Sequence, residues 1–501
     1  MKLRALLLFA LLPAVTLPAQ VTLPSILSSH MVVQRNLPVH VWGLAAGGEE
    51  VSVSFRGETR STKAGQLGRW SVYLRPGAAG GPFQMTVRGT PAAGSEEAVQ
   101  SITLDDVLVG DVWVASGQSN MEFEMYKAAT AAQDLAHASI PNLRLLIVKR
   151  KAIDSPQDDI DTDGWAASSA ETAKNFSAVA WYFGREIEQR EHVPVGVIDT
   201  SWGGTPVEAW TRMAALGKDA SMAPLFAAWG EMTEREPEAR LREKARQRLI
   251  AEAKAQGKPE PKFPWMPELD SWGPGMLYNG MIAPLTPFAI RGLIWYQGES
   301  NTDAQRAPLY CRAFSDMIED WRSQWGIGDF PFLFVQISNY KDGPAADWPT
   351  LREQQLKTLA LRKTAMAVTI DIGNPGNIHP TDKLDVGLRL ARGARVLSYG
   401  EKIEDSGPVF RQATPDGAAI RAWFTHAKGL MAKGGAVTGF EVAGADGKFV
   451  PATATIEGSS VVASSPSVAE PVYVRYGWAN SPDCNLFNGE GLPASPFTSV
   501  P

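Results

Sequence analysis

An alternation of short apolar segments with helical segments, between residues 105 and about 391, constrains the fold of this chain most strongly. Each apolar segment has the length of a buried strand, and amphipathic stretches such as residues 173–188 and 310–325 lie between them. Strands that alternate with helices form a parallel sheet with crossover helices on its faces. We therefore expect an α/β core with strands at residues 107–115, 142–148, 195–198, 290–296, 332–337 and 365–370.

The segments on either side of this core are β-rich. Short alternating stretches such as VHVW and VSVSF, separated by glycine clusters, are typical of a β-sandwich. Since 501 residues exceed one ordinary domain, we expect three domains, one with an insertion. They are an N-terminal β-sandwich module (20–104), an α/β domain (105–400) with a charged helical insertion (212–270), and a C-terminal β module (401–501).

The first 19 residues have the pattern of a secretory signal peptide. Lys2 and Arg4 precede an apolar stretch, and Ala19 is the small residue expected just before a cleavage point at Gln20. The apolar stretch is short for a bilayer span, and no later segment is long enough. We expect a secreted or periplasmic protein that has no membrane contact once the signal is removed.

Composition argues against several classes of function. A net charge of −6 offers no basic patch for nucleic acid. Two cysteines and six histidines, without an HExxH or CxxC pair, offer no zinc site. The stretch DIDTDG at residues 159–164 opens like a calcium loop, but Ala170 stands where the bidentate glutamate is due. We therefore expect no metal. The pairing of Cys311 with Cys484 and the oligomeric state are not determined by the sequence.

Three of the predicted strands end in unusual loops of small and polar residues. The loops are GQSN at 117–120, WGGT at 202–205 and QGESN at 297–301. Parallel sheets place their sites at the carboxyl ends of strands, and a serine on a sharp strand-to-helix turn is how α/β hydrolases expose a nucleophile. We expect Ser119 to be that nucleophile. Donors for an oxyanion are predicted from the backbone N–H groups of Ser119 and Gly204 and from the side chain of Gln297 or Asn301.

The base is expected to be a histidine in a loop that follows a late strand. His379 meets this condition, because it follows the last predicted strand and precedes a helix that starts near Thr381. The other five histidines lie in the β modules or in polar surface segments.

With these residues in view, the chain resembles the sialate O-acetylesterase family, within the wider SGNH (GDSL-like) hydrolase superfamily. The resemblance covers nearly the whole mature chain, and the combination of GQSNM, WYQGESN and IHP is highly specific. The matching stretches are MVVQRNLPVHVWG, GDVWVASGQSNME, NFSAVAWYFGRE, VPVGVIDTSWGGTPVEAW, LYNGMIAPLTPFAIRGLIWYQGESN, NIHPTDKLDVGLRLA and NSPDCNLFNGEGLPASPF.

The resemblance implies a flavodoxin-like three-layer α/β/α core with a parallel sheet, flanked by the two β modules. It implies hydrolysis of acetyl esters on sugars without a metal or organic cofactor, with Ser119 as nucleophile and His379 as base. By the same resemblance, Gly204 and the loop containing Gln297 and Asn301 complete the oxyanion hole. We also assign Gln118 and Asn120, the neighbours of Ser119, to substrate binding.

The acid behind His379 is where the chain departs from the family pattern. Relatives tend to carry aspartates just before the histidine, whereas this chain has Asn374 and Asn377. An asparagine can orient an imidazole but cannot stabilise an imidazolium as a carboxylate does. Three arrangements stay open: Glu299 as the acid, Asp371 as the acid, or a Ser–His dyad whose imidazole is held by a backbone carbonyl. Asn377 is a further candidate for orienting the ring.

We therefore expect an exported serine carbohydrate O-acetylesterase, similar to sialate 9-O-acetylesterases, whose partner is an acetylated sugar or glycan. An alternative is an acetylxylan or other plant-polysaccharide deacetylase with the same site. A third is a non-catalytic carbohydrate-binding protein, which the 16 tryptophans would suit.

Overall fold

The computed structural model describes residues 21–91, 98–263, 266–341, 343 and 346–500. The predicted signal peptide at residues 1–19 lies outside the described residues. Within the described ranges, no helix is both long and apolar enough to cross a membrane.

The N-terminal part of the chain is built from strands. They are β1 (Val32–Gln34), β2 (Val39–Leu44), β3 (Glu50–Phe55), β4 (Glu58–Lys63), β5 (Arg69–Leu74), β6 (Gly80–Thr90) and β7 (Gln100–Gly117). Strands β4, β3 and β6 pair antiparallel in that order, and β2 pairs with β5. The alternating burial of β3 and β5 agrees with a sheet that packs one face on a core.

Strand β7 connects this β-rich part to the α/β core. Its first half pairs antiparallel with β6, and its second half pairs parallel with core strands on both sides. Every residue from 108 to 118 is buried, which explains the apolar run VWVA at residues 112–115. The predicted boundary after residue 104 falls inside this continuous strand, and the division into domains remains a prediction.

The core is a mixed sheet whose central strands are parallel. The further strands are β8 (Ile140–Ile147), β9 (Ala166–Ser168), β10 (Val195–Ser201), β11 (Gly292–Tyr296), β12 (Phe332–Gln336) and β13 (Thr364–Val368). Their order is β13-β12-β11-β7-β10-β8-β9, and in this row only β9 runs antiparallel to its neighbour. The predicted core strands are thus confirmed, with ends that differ by a few residues, and β7 is several residues longer than predicted.

Helices cover both faces of the core sheet. The helices of this part are α1 (Ser119–Glu122), α2 (Ala131–Leu135), α3 (Ala170–Lys174), α4 (Ala178–Glu191), α5 (Met213–Leu216), α6 (Ala223–Glu234), α7 (Glu236–Ala255), α8 (Leu269–Trp272), α9 (Tyr310–Trp325), α10 (Trp348–Lys357) and α11 (Leu384–Tyr399).

Two buried tryptophans show which helix lies on which face. Trp113 of β7 packs against Phe183 of α4, whereas Trp295 of β11 packs against Phe314 of α9. Trp295 is in register with Ser116, three residues after Trp113, so the two indoles point to opposite faces. The sheet therefore lies between α4, which contacts α11, and α9.

Of the two helices predicted from amphipathic stretches, the structure confirms one and divides the other. The helix predicted at residues 310–325 is confirmed as α9. The single helix predicted at residues 173–188 is wrong at its start, because the chain breaks between α3 and α4. Ser177 caps α4 there by accepting a hydrogen bond from the N–H of Ala180.

The segment at residues 212–270 is helical and charged, as its composition predicts. Helix α7 has no buried residue and carries exposed ion pairs such as Arg248–Glu252. The short helix α8 at the end of this segment differs from α7, because its last residue, Trp272, is buried. The insertion thus has one exposed helical arm and one end that packs into the domain.

The C-terminal part is again built from strands. They are β14 (Val409–Asp416), β15 (Ala419–Thr425), β16 (Met431–Ala432), β17 (Phe440–Ala443), β18 (Val450–Pro451), β19 (Thr453–Glu457), β20 (Ser460–Ser464), β21 (Tyr473–Tyr476), β22 (Leu486–Phe487) and β23 (Phe497–Thr498). Their apolar residues form a core cluster separate from that of the α/β sheet. The two cysteines, Cys311 and Cys484, are free.

Candidate active site

The turn after β7 places Ser119 at the carboxyl edge of the sheet. Gly117 has a φ of +134°, and a Cβ atom there would lie 2.2 Å from the carbonyl oxygen of Tyr296. Only glycine fits such a turn without displacing the neighbouring strand. The N–H of Gln118 donates to that Tyr296 carbonyl at 2.9 Å, and the N–H of Trp202 donates to the Gly117 carbonyl at 3.0 Å. Ser119, the first residue of α1, thus lies between the ends of β10 and β11.

Ser119 and His379 form the hydrogen bond that the sequence predicts. The Oγ atom of Ser119 lies 2.8 Å from Nε2 of His379, and both residues are half-buried. Burial, with smaller contributions from the Lys383 and Lys127 charges, lowers the pKa of His379 below its ordinary value. The imidazole is therefore neutral at neutral pH and can accept the serine proton.

The other ring nitrogen of His379 has no carboxylate partner among the described residues. Glu299 is bound elsewhere, since its Oε1 atom accepts a hydrogen bond from Nδ2 of Asn120 at 2.6 Å. The Asp371 carboxylate is held by two hydrogen bonds from Arg389, of 2.7 and 2.8 Å. Neither Glu299 nor Asp371 therefore forms a hydrogen bond to the imidazole of His379 in this structure. In the described part of the chain, Ser119 and His379 thus form a hydrogen-bonded pair without a carboxylate on the imidazole, and the choice among the three arrangements stays a prediction.

Asn377 orients His379 through the backbone. Its Oδ1 atom accepts a hydrogen bond from the backbone N–H of His379 at 3.0 Å. This is a local contact across two residues, of the type that fixes a turn. Asn377 therefore holds the peptide that carries the histidine, and its side chain makes no hydrogen bond to the ring.

Two of the predicted oxyanion donors are backbone groups without an acceptor. Neither the Ser119 N–H nor the Gly204 N–H donates to any group in the described ranges. The loop that carries Gly204 is close to Ser119, because a Cβ atom on Gly203 would lie 3.2 Å from the Cβ atom of Ser119. The first N–H groups of a helix are unpaired within the helix, so Ser119 at the start of α1 keeps a donor for a ligand.

The predicted side-chain donors have other partners. The amide NH2 of Gln297 donates to the carbonyl of Thr205 at 3.1 Å and to Oδ1 of Asn301 at 2.6 Å, so both of its hydrogens are used. Asn301 in turn donates to Glu208 at 2.9 Å. Both amides are buried, and they join the loop after β11 to the turn after β10. Gln297 and Asn301 therefore support the loop that carries Gly204.

The two neighbours of Ser119 are also buried, which does not fit the predicted contact with substrate. The Oε1 atom of Gln118 accepts hydrogen bonds from the N–H groups of Gly298 at 3.3 Å and Ser300 at 3.2 Å. The Asn120 side chain is bonded to Glu299 and to the Ile378 carbonyl, and its relative exposure is 0%. These side chains brace the loops that surround the nucleophile.

Residues that the sequence did not single out also contribute to this site. Lys383 is buried and donates to Oδ1 of Asn120 at 2.5 Å. Glu122 accepts a hydrogen bond from the N–H of Gly203 at 2.8 Å and forms an ion pair with Arg150. Trp272 donates its indole N–H to the Gly204 carbonyl at 2.7 Å, so the end of α8 contacts the loop that carries Gly204. Lys383 and Glu122 lie inside the matching stretches, but nothing in a single sequence shows that they are buried or bonded there.

The aspartates of DIDTDG do not form a group of possible metal ligands. Asp159 is hydrogen bonded to Ser25, and Asp161 and Asp163 form ion pairs with Lys149. In the described ranges, the residues that could hold an ion together are Glu404, Asp405 and His426, which lie after α11 and on the C-terminal β part.

Comparison with known proteins identifies the class. A family model for a carbohydrate esterase, sialic acid-specific acetylesterase, matches residues 255–395. The sialate O-acetylesterase of Pongo abelii is 30% identical over 94% of this chain and 91% of its own length, and that of Mus musculus is 32% identical over 77% and 75%. A crystal structure of a carbohydrate acetylesterase from Xanthomonas citri superposes with a TM-score of 0.82, at 39% identity, covering 96% of this chain and 99% of that one.

The family model and these relatives define a carboxylic ester hydrolase of the carbohydrate esterase class. Within that class, the chain belongs to the sialate O-acetylesterase family.

Proposed function

We propose that the protein is an exported serine carbohydrate O-acetylesterase of the SGNH superfamily, working through an acetyl-Ser119 intermediate. The observation that carries the proposal is the 2.8 Å contact between Ser119 and His379 at the carboxyl edge of the sheet. A nucleophile, a base in hydrogen-bond contact and unpaired backbone donors are the parts that acyl transfer needs.

In the proposed reaction, Nε2 of His379 accepts the proton of Ser119 as Oγ attacks the acetyl carbonyl carbon. The N–H groups of Ser119 and Gly204 stabilise the negative oxygen of the tetrahedral intermediate. When the C–O bond to the sugar breaks, His379 gives its proton to the departing sugar hydroxyl. Water then attacks the acetyl-serine as His379 accepts one of its protons. When the bond between the acetyl carbon and Oγ of Ser119 breaks, His379 returns this proton to Oγ, and the acetyl group leaves as acetate.

In a Ser–His dyad the imidazolium must be stabilised without the carboxylate that a Ser–His–acid triad supplies. The imidazolium that forms during attack has no buried carboxylate beside it in the described residues, so solvent and the oxyanion must stabilise it. Nδ1 of His379 is not bonded to any described group, which leaves it open to water.

The substrate class is proposed from the relatives. Curated members of the family are named sialate O-acetylesterases, and the structure with a TM-score of 0.82 is a carbohydrate acetylesterase. We propose an acetylated sugar or glycan, with acetylated sialic acid as the first candidate and acetylated xylan as the second. Acetate release from acetylated sialic acids, acetylxylan and acetylated pectin, measured in parallel, distinguishes them. The proposal fails if no acetylated sugar is hydrolysed.

A non-catalytic carbohydrate-binding protein is the rival from another class. A fluorophosphonate probe separates the two, because it labels only an activated serine. We expect labelling at Ser119, located by peptide mass spectrometry, and its loss in His379→Ala. An unlabelled wild-type protein would favour the binding protein.

Export and the three-domain division also belong to this proposal. The basic residues, apolar stretch and small residue of positions 1–19 support a signal peptide. N-terminal sequencing of the protein after expression in a secreting host would show a mature start at Gln20. A start at Met1 in the secreted fraction would exclude cleavage there.

A further inference from the structure

Lys383 is a buried cation without an ion pair. Its relative exposure is 0%, and no carboxylate of the described residues forms a salt bridge with it. Its ammonium donates to Oδ1 of Asn120 at 2.5 Å and lies 4.7 Å from the ring centre of Phe123 and 5.3 Å from that of Tyr296. Burying an ammonium costs free energy, so a lysine in this place calls for a role.

The contact with Lys383 fixes the oxygen side of the Asn120 amide, and two acceptors fix its NH2 side. A protonated lysine side chain only donates hydrogen bonds, so in that form it requires the carbonyl oxygen of the amide on its side. The NH2 group of Asn120 must then face the other way, where it donates to the Ile378 carbonyl at 3.0 Å and to Glu299 at 2.6 Å. Every donor hydrogen of Asn120 is used in this orientation.

The Ile378 carbonyl belongs to the peptide bond that leads into His379. The carbonyl of this peptide is held by Asn120, and its N–H is held by Asn377 at 3.0 Å. Ser119 and Asn120 are consecutive, so one residue bonds the His379 ring while the next bonds the Ile378 carbonyl, in the peptide that precedes His379. The distance between nucleophile and base depends on both contacts.

We propose that Lys383 is a positioning residue for the catalytic base: by fixing the orientation of the Asn120 amide, it holds the His379 peptide at the distance from Ser119 that proton transfer needs. This inference rests on the proposed function, because it assigns His379 the role of base.

The charges around these groups agree with this role. Burial lowers the pKa of Lys383 to about 7, while the charges of Glu299 and Asp382 act to raise it. Burial raises the pKa of Glu299, whose Oε2 atom has no hydrogen-bond partner. The charged groups that act on the His379 imidazole are Lys383 and Lys127, and both lower its pKa.

The test compares Lys383→Met with Lys127→Met, using kcat and KM for 4-nitrophenyl acetate across a pH series. Both variants remove a cation near His379, so in both the acid limb of kcat/KM should move to higher pH. Only Lys383→Met also removes the donor that anchors Oδ1 of Asn120, so the amide is held on one side alone. We therefore expect its plateau kcat to fall about 10- to 100-fold with little change in KM. Lys127 is 44% exposed and bonded to Glu124, and Lys127→Met should keep the wild-type plateau.

A second variant keeps the proposal testable if Lys383→Met does not fold. Asn120→Asp has the same size and keeps an oxygen for Lys383, but it cannot donate to the Ile378 carbonyl. We expect the same fall in plateau kcat with KM little changed. A wild-type plateau kcat in either folded variant, or equal plateaus in Lys383→Met and Lys127→Met, would overturn the positioning role.

The kinetic results for the Lys383 and Asn120 variants can be distinguished from a failure of the proposed function. Fluorophosphonate labelling of the wild-type Ser119 tests the function, whatever the Lys383 variant does. If the wild type is labelled and turns over while Lys383→Met keeps its plateau, the function stands and this inference fails.

Discussion

Oγ of Ser119 and Nε2 of His379 lie 2.8 Å apart although 260 residues separate them in the chain. Ser119 is placed by the turn after β7 and His379 by the long loop between β13 and α11, so each needs its own support. The serine is supported by the Gly117 turn. The histidine is supported through its preceding peptide bond, whose Ile378 carbonyl accepts from Asn120 and whose N–H donates to Asn377.

The pH dependence of kcat/KM should report a histidine with a lowered pKa. Only the neutral imidazole can accept the serine proton, so activity falls as pH drops through the pKa of His379. Because burial and the two lysines lower this pKa, the acid limb should have its midpoint below pH 6.5, the ordinary value. A pH series on an aryl acetate measures it. A midpoint clearly above 6.5 would contradict a buried, cation-flanked base.

Replacing Asp371 tests whether its carboxylate is the catalytic acid behind His379. In a triad, removal of the acid lowers kcat by about 10⁴-fold. Since Asp371 is bound by Arg389 and not by His379, Asp371→Asn should lower kcat by less than about 10-fold. The main effect should be on Tm, because a partly buried ion pair is lost. A fall of several thousand-fold in kcat with unchanged Tm would make Asp371 the acid.

Gly117 should not tolerate a side chain. In Gly117→Ala the new Cβ would overlap the Tyr296 carbonyl, and the residue would also keep a φ that alanine disfavours. We expect a loss of at least about 2 kcal/mol of stability, together with a loss of activity. Gly230→Ala is the matched control, since this glycine lies in α6 with open space around it. It should stabilise the helix by about 1 kcal/mol or less.

Arg352 joins the C-terminal β part to the sheet edge that carries the site. Its buried guanidinium donates to the carbonyls of Ile337, Ser338, Ala479 and Asn480 at 2.8 to 3.0 Å. Arg352→Met leaves these acceptors without their donor, so we expect a loss of at least about 3 kcal/mol of stability. Thermal unfolding with Arg248→Met, an exposed arginine of α7, as control measures the difference. Equal Tm values for Arg352→Met and Arg248→Met would contradict a stabilising role for the Arg352 hydrogen bonds.

Much of the fold follows from the sequence because the core strands are buried on both faces. Strands β7, β10, β11 and β12 are nearly continuous apolar runs, and those runs were recognisable. The break between α3 and α4 was missed, since it depends on a cap at Ser177 inside an otherwise helical pattern.

The pairing of Ser119 with His379 was also predictable, because chemistry and strand position both limit the choice. The roles of the polar residues around Ser119 and His379 cannot be predicted in the same way. Gln297, Asn301 and Gln118 are residue types that serve equally as ligand contacts and as loop braces, and only burial and hydrogen-bond partners distinguish these roles. For Glu299 the sequence suggested an acid, whereas its observed partner is the Asn120 amide.

The most direct measurement is the hydrolysis of an aryl acetate by Ser119→Ala, with circular dichroism and Tm as controls for folding. The substitution removes one oxygen atom, and Ser119 is only half-buried, so the fold should be intact. If Ser119 is the nucleophile, kcat/KM should fall by at least about 10³-fold. A folded Ser119→Ala protein that keeps wild-type turnover would contradict the acetyl-Ser119 mechanism.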